Sequence, residues 1–233
     1  MLPDIQTILV PKGAEHQAIC RGLRGALNPP TVFPIPVGSA ALIPCLEGLE
    51  QAGCLYGGQR LLVMGLCGGL TPKLAVGEAV LYQTCVAGDV DHPHREFACD
   101  RPLTAAIQAA LGHSVALVKA VTSDRVVSRA QEKRALGQRF HADVVDMEGI
   151  AALETLTRIG VEVATLRVVS DDCQADIPNL ANAFAANGSL KPTALAIAMV
   201  SEPLAAVRLI RGSTRSLKIL QNLTFQLFCS ESK

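Results

Sequence analysis

The chain has 233 residues, 21 Lys and Arg against 21 Asp and Glu, and 49% hydrophobic but only 3% aromatic residues. This length suits one large domain with a full core, and the balanced charge gives no overall electrostatic case for a nucleic-acid partner. No apolar run reaches the roughly 18 residues that a membrane-spanning helix needs, and Met1 to Thr7 lacks the basic-then-apolar order of a secretory leader. The eight cysteines include no Cys-x-x-Cys pair. In a chain of this size they read as buried, reduced thiols, which makes the cytoplasm the expected compartment.

In chain order, Ile5 to Val10 reads as a strand, closed by Pro11-Lys-Gly-Ala-Glu15 and followed by a helix from Glu15 to Arg24. Thr31 to Val37 is broken by Pro and suits an edge strand. Ala40 to Ala52 has helical composition and stops at Gly53. Arg60 to Gly65 is a strongly apolar strand feeding a turn, Leu66-Cys-Gly-Gly-Leu70. A strand over Gly77 to Val86 leads into a polar loop through Asp100. Next come a helix from Pro102 to Leu111, a strand from Val115 to Val121 and a charged surface helix from Arg129 to Phe140. The remainder is strand Val144-Val145, helix Gly149 to Ile159, strand Val161 to Val169, and two helices around Pro192 to Val200 and Leu204 to Phe228. Alternating strands and helices predict an α/β fold. One domain over residues 1–233 would have a central mixed, largely parallel sheet flanked by helices, with an extended C-terminal helix over about 203–229.

The most informative stretch runs from Ala142 to Ala152, where a short apolar strand ends in Asp146-Met147-Glu148-Gly149. Glu15, Glu148 and Asp171 each follow an apolar strand. Strand ends of a parallel sheet share one edge, so the three are expected to converge on one cleft. Cleaving a base from a sugar passes through an oxocarbenium-like state. That reaction needs an acid for the leaving group, a base for water and an acceptor for the sugar hydroxyls. The plainer alternative is that each carboxylate only caps the helix behind it.

With Leu166-Arg167-Val-Val-Ser170-Asp171, the Asp-Met-Glu-Gly motif resembles the purine nucleoside phosphorylase superfamily, and most closely its methylthioadenosine/S-adenosylhomocysteine nucleosidase side. Gly65-Leu-Cys-Gly-Gly-Leu70, Gly77-Glu78 and Thr122-Ser-Asp-Arg-Val-Val127 fit the same pattern. The resemblance implies that Asp171 protonates N7 of a purine, with Ser170 orienting the carboxyl group and Asp172 adding like-charge repulsion. The ordinary value for Asp is about 3.9, so an acid working near neutrality needs such help. Glu148 would bind the ribose hydroxyls, Met147 would pack on the sugar, and Glu15 would deprotonate the attacking water. Val126 and Val127 would meet the base edge, and Gly68 and Cys67 would line the substrate site from the Gly-rich turn. The resemblance further implies a homo-oligomer, usually a dimer, acting on a small purine nucleoside without metal or other cofactor.

Phosphorylase relatives carry an Arg-x-Gly-Ser/Thr pattern before the Gly-rich turn, where this chain has Val63-Met64-Gly65-Leu66. Hydrolysis is therefore expected over phosphorolysis, although Lys12, Arg21, Arg24 and Arg125 remain available to an anion. Asp91-His92-Pro93-His94 has metal-ligand residue types but reads as a loop. His16 reads as a helix-surface residue. Cys67 lacks a basic sequence neighbour and reads as packing. In the last helix, Arg208, Arg211, Arg215 and Lys218 share one face, while Ala206, Ile210, Leu217, Leu220 and Phe228 form the other. An amphipathic helix packed on the domain is one reading; contact with anionic lipid is another. The region after Asp172 is similar to the hopanoid-associated branch of the superfamily, which implies removal of adenine from an adenosyl-lipid.

Overall fold

The computed structural model describes residues 3–88, 95–112, 115–185 and 187–229. Its elements are β1 (Thr7–Pro11), α1 (Ala14–Gly22), β2 (Thr31–Ile35), α2 (Ser39–Gln51), β3 (Arg60–Gly69), β4 (Ala79–Ala87), β5 (Glu96–Ala98) and α3 (Arg101–Leu111). They continue as β6 (Ala116–Thr122), α4 (Ala130–Phe140), β7 (Val144–Asp146), α5 (Gly149–Ile159), β8 (Glu162–Asp171), α6 (Pro192–Ser201) and α7 (Pro203–Phe228). The eight strands run β2-β1-β3-β7-β6-β4-β5, with β8 bridging β3 and β4, so β3, β7, β6, β4 and β8 close into a ring. Pairs β1–β2, β1–β3, β3–β8, β4–β6 and β6–β7 are parallel; β3–β7, β4–β5 and β4–β8 are antiparallel. The sheet is thus mixed and largely parallel, as expected.

The near-continuous apolar runs have a direct cause in this layering. Leu61 and Val63 of β3 enter a core with Leu42 and Leu46 of α2 and Leu153 and Leu156 of α5. Leu62 and Met64 enter a second core, with Ile19 of α1, Ile107 of α3 and Leu220 of α7. A strand covered on both faces has no polar side to alternate with. Local signals set the helix ends: Asp100 accepts a 2.8 Å hydrogen bond from Leu103 N at the start of α3, and Gly160 closes α5 in the left-handed region at φ 83°.

Several sequence expectations need correction. The Gly-rich segment is not a turn, because β3 runs on through Gly69. The polar loop before Asp100 contains β5, which pairs with β4. Residues Asp91 to His94 lie outside the described residues. The α4 helix is not wholly a surface helix, since Lys133 on it is fully buried. On α7, Ile210 is exposed rather than packed, whereas Gly212, Ser216 and Thr224 join Leu220 in the buried stripe. All eight cysteines are free; Cys67, Cys85, Cys99 and Cys173 are buried, but Cys20 is exposed.

Helix α7 lies directly on β8 and α1. A Cβ added at Gly212 would sit 2.2 Å from Ser170 O, and one at Gly22 would sit 2.5 Å from Gln221 O. Ser216 Oγ donates to Val169 O at 2.6 Å. The C-terminal helix therefore bears on the last residues of β8, where the candidate acid stands.

Candidate active site

The ends of β1, β3, β7 and β8 meet at a cavity of about 210 Å³. Glu15, Cys67, Gly68, Val126, Val127, Met147, Glu148, Ser170 and Asp171 all line it, so the structure brings every sequence-predicted site residue together. Of the basic residues considered for an anion, only Arg125 reaches the wall, and it is paired with Glu132. Arg21 is instead turned to Gln221, and His16 lies against Cys20.

Glu15 projects from the first turn of α1. Its Oε1 accepts a 2.7 Å hydrogen bond from Leu66 N. Burial pushes its carboxyl up to about 7, against the lowering effects of Arg167 and the Leu66 amide; Glu148 adds a smaller upward push. Gly65 makes this approach possible. A Cβ there would fall 2.4 Å from Arg167 Nη1 and 2.7 Å from Glu15 Oε1.

Glu148 does not arrive by the expected route. Strand β7 is parallel to β6 but antiparallel to β3, where it meets only Gly68 and Gly69 at the far end, so a three-residue strand delivers Met147 and Glu148 to the middle of the site. Glu148 Oε1 accepts from Gly38 N at 2.9 Å, at the N-terminus of α2, a favourable end for an anion. Ser39 Oγ donates to Met147 O at 3.1 Å. Burial raises the Glu148 carboxyl above the usual range, and Arg167 opposes that rise. Asp146 is structural: it accepts from Thr122 Oγ1 at 2.7 Å, Gly149 N at 3.0 Å and Tyr82 OH at 3.2 Å, fixing the start of α5.

A bulge explains how Ser170 and Asp171 serve one cavity. Along β8, Val169 pairs with Cys67 and Asp171 with Gly68, so Ser170 is the extra residue. Regular alternation would send neighbours to opposite faces. Here both face the cavity, with Ser170 Oγ 2.7 Å from Asp171 Oδ1 and 3.2 Å from Cys67 O. The other Asp171 oxygen, Oδ2, is paired with the Lys133 ammonium, which also donates to Asp172 O at 3.0 Å. Asp172 turns away, its Oδ1 accepting from Gln174 N at 2.9 Å. The charge beside Asp171 is thus a cation from α4, not the like charge expected from Asp172.

Arg167 is the second residue that sequence reasoning left without a role. Fully buried on β8, its Nη2 lies 3.5 Å from Glu148 Oε2 and 3.6 Å from Asp146 Oδ2, and its Nη1 lies 3.4 Å from Leu66 O. Burial works against its charge, but Asp146, Tyr82, Glu148 and Glu15 hold it firmly protonated. Its signal was present: an arginine inside an apolar strand demands buried partners. Lys133 gave none, because it sits in a Gln-Glu-Lys-Arg run that reads as solvated surface. Cys67 has a basic neighbour after all in Arg167, yet burial dominates and pushes its thiol well up, so it serves as packing. The rest of the wall is apolar: Ile177, Leu180 and Phe184 after β8, and Leu209 of α7.

A ring-closed mixed sheet with helices on both faces, carrying this cavity at its strand ends, is the fold of the nucleoside phosphorylases and nucleosidases. Residues 22–201 match the family model of the Phosphorylase superfamily, and the chain belongs to that superfamily. Glu15 and the whole of α7 fall outside the matched range. Futalosine hydrolase of Helicobacter pylori strain 26695 superposes with TM-score 0.67 at 17% identity, covering 93% of this chain and 95% of that one. The 5′-methylthioadenosine/S-adenosylhomocysteine nucleosidase of Helicobacter pylori gives TM-score 0.67 at 18% identity, covering 94% and 97%. A putative methylthioadenosine nucleosidase from Weissella paramesenteroides gives 0.63 at 14%, covering 94% and 98%. At these identities the likeness is one of fold. No curated protein matches the sequence.

Proposed function

We propose that this protein hydrolyses the N-glycosidic bond of a purine nucleoside, such as methylthioadenosine or S-adenosylhomocysteine, and releases adenine. The observation that carries this reading is the charge around Arg167. One guanidinium is shared by Asp146, Glu148 and Glu15, and the other cavity cation, Arg125, is paired with Glu132. A phosphate dianion entering here would meet carboxylates rather than an open arginine fork. Water would meet Glu15, a part-buried base with its carboxyl near 7.

In this mechanism Glu148 accepts the ribose hydroxyls and Met147 packs on the sugar. Glu15 takes a proton from water as the oxygen bonds to C1′. The C1′–N9 bond breaks and its electron pair goes to the base, while Asp171 gives a proton to N7, so adenine leaves neutral. Lys133 and Ser170, each in contact with one oxygen of Asp171, hold its carboxyl group toward the base while the proton passes to N7. Val126 and Val127 border the base, and the Leu180, Phe184 and Leu209 wall suits an apolar 5′ group. No step calls on a metal or organic cofactor. The eight free cysteines support a cytoplasmic setting, and the superfamily resemblance supports a homodimer.

The deciding assay is adenine release from methylthioadenosine, S-adenosylhomocysteine, adenosine and inosine, with and without phosphate. Hydrolysis predicts free ribose or its 5′ derivative at a rate independent of phosphate. Phosphate-dependent formation of a sugar 1-phosphate would move the protein to the phosphorylases. Binding of these nucleosides without turnover would make it a nucleoside-binding protein. An adenosyl-lipid is the second substrate reading, favoured by the apolar helix α6 that follows the Phe184 wall; turnover confined to amphiphilic adenosine derivatives would select it.

A further inference from the structure

The described residues contain one helix that buries nothing. Helix α6, Pro-Thr-Ala-Leu-Ala-Ile-Ala-Met-Val-Ser, has no charged residue and not one buried side chain. Ile197 is 68% exposed and Val200 80%, and at the start of α7 Leu204 is 75% and Ile210 55% exposed. Packing a domain core does not explain such a surface. A contiguous apolar patch on an exposed helix marks a contact with something else.

The charges beside the patch indicate what that is. From Lys191 to Phe228 the chain has five basic residues (Lys191, Arg208, Arg211, Arg215 and Lys218) and a single acidic one, Glu202. Glu202 and the nearby Asp176 are both taken by Arg129. Arg208, Arg211 and Arg215 form no ion pair among the described residues and line one cleft beside α7. A second copy of this chain docking through the same face would bring arginine toward arginine about the two-fold axis. An anionic lipid surface satisfies both halves of the pattern, taking the apolar residues into the headgroup boundary and the arginines onto phosphates.

Geometry sets the mode of contact. No single described helix is long and apolar enough to cross a bilayer, and α6 and α7 meet at a bend of 119°. The inner face of α7 is committed to β8 and α1 through Gly212, Ser216 and Leu220. The elbow can therefore lie on a membrane but not span it. It also adjoins the active cavity, because Phe184 of the cavity wall forms a β-bridge with Leu190 just before α6, and Leu209 of α7 lines the same wall.

We infer that the α6–α7 elbow is a peripheral docking face for an anionic lipid bilayer, which sets the apolar end of the cavity beside the membrane. The test is flotation of the full chain with phosphatidylcholine vesicles, with and without phosphatidylglycerol, at low and high salt. Binding is expected to the anionic vesicles and to weaken with salt. Exchanging Arg208→Glu with Arg211→Glu should lower partitioning at least about tenfold. Exchanging Ile197→Asp with Val200→Asp should do the same without changing the thermal midpoint, since both side chains are solvent-facing. Absence of binding to anionic vesicles at low salt would overturn the inference. So would binding that neither double variant weakens. A dimer seen by light scattering that Ile197→Asp/Val200→Asp splits into monomers would give this face to a second copy instead.

Discussion

Lys133 and Asp171 form an ion pair in which the ammonium is completely enclosed and the carboxylate faces the cavity. A buried charge is held by its partner, and removing one member strands the other. Lys133→Met should therefore lower stability by about 3 kcal/mol, with part of it recovered in Lys133→Met/Asp171→Asn, which leaves neither charge alone. The catalytic consequence is separable. Asp171→Asn and Lys133→Met should each cut purine nucleoside turnover by about 100-fold or more, while nucleoside binding by Asp171→Asn stays measurable by calorimetry. With p-nitrophenyl riboside, whose leaving group needs no proton, both variants should keep most of their activity. Equal losses on both substrates would reduce Lys133 to a structural residue.

Glu15 gives the pH dependence. As the base it must be ionised, so kcat/KM for hydrolysis should rise with pH through about 7 and be lost below it. Stability should move the opposite way. Between the ordinary value of 4.5 and about 7, the folded state holds a proton that the unfolded chain releases. Stability from this group is complete below 4.5 and falls as pH rises through about 7, by at most roughly 3 kcal/mol. Glu15→Gln should thus be inactive at every pH, yet more stable than the natural chain at about pH 8 and no more stable near 4.5. Thermal melts at the two pH values check this. An unchanged difference between them would mean that Glu15 is not strained by burial.

The residues proposed to carry the chemistry were legible because their positions are local: each follows a strand at once, and a strand end is readable from apolar runs cut off by charge. The means by which they meet were not legible. Strand β7 is three residues long and antiparallel to β3. Nothing in Val144-Val145-Asp146 states a direction, so the shared-edge argument led to the right cavity for Glu148 through the wrong geometry. The bulge at Ser170 depends on register with Cys67, a residue 103 positions away. Lys133 has the sequence surroundings of a surface residue and is buried only because Asp171 and Asp172 come to meet it. On α7 the amphipathic pattern was real, but the helix hides Gly212, Ser216 and Thr224 beside Leu220 and leaves Ile210 outside, because it comes so close to β8 at Gly212 and to α1 near Thr224 that only small side chains fit there.

Glu148 is held by Gly38 N on one oxygen and by Arg167 on the other, which leaves its cavity side to accept hydroxyls. Glu148→Gln replaces half of that acceptor with a donor and removes its charge. Turnover of a full ribonucleoside should fall by roughly 10- to 100-fold, the scale of a charged hydrogen bond. A 2′,3′-dideoxy analogue should be affected far less, because it has no hydroxyl to lose. The measurement is kcat/KM for both substrates in both proteins. Discrimination between the two that survives in the variant would remove Glu148 from ribose recognition.

Gly212 tests whether the last helix governs the acid. Its Cα faces the Ser170 carbonyl so closely that an added Cβ would fall 2.2 Å from that oxygen, which belongs to backbone and has little freedom to yield. In Gly212→Ala, either α7 lifts from β8 or the bulge at Ser170 shifts. The first opens the contact made by Ser216 Oγ with Val169 O at 2.6 Å. The second displaces Asp171 from Ser170 and Lys133. Overpacking of this kind costs about 1–3 kcal/mol, so the urea midpoint should drop and kcat should fall with it. Ser216→Ala is the contrast: it loses one hydrogen bond, about 1 kcal/mol, without pushing on Ser170, and should lower the midpoint while leaving kcat close to that of the natural chain. If Gly212→Ala melts like Ser216→Ala and keeps full kcat, α7 braces the fold without bearing on the acid.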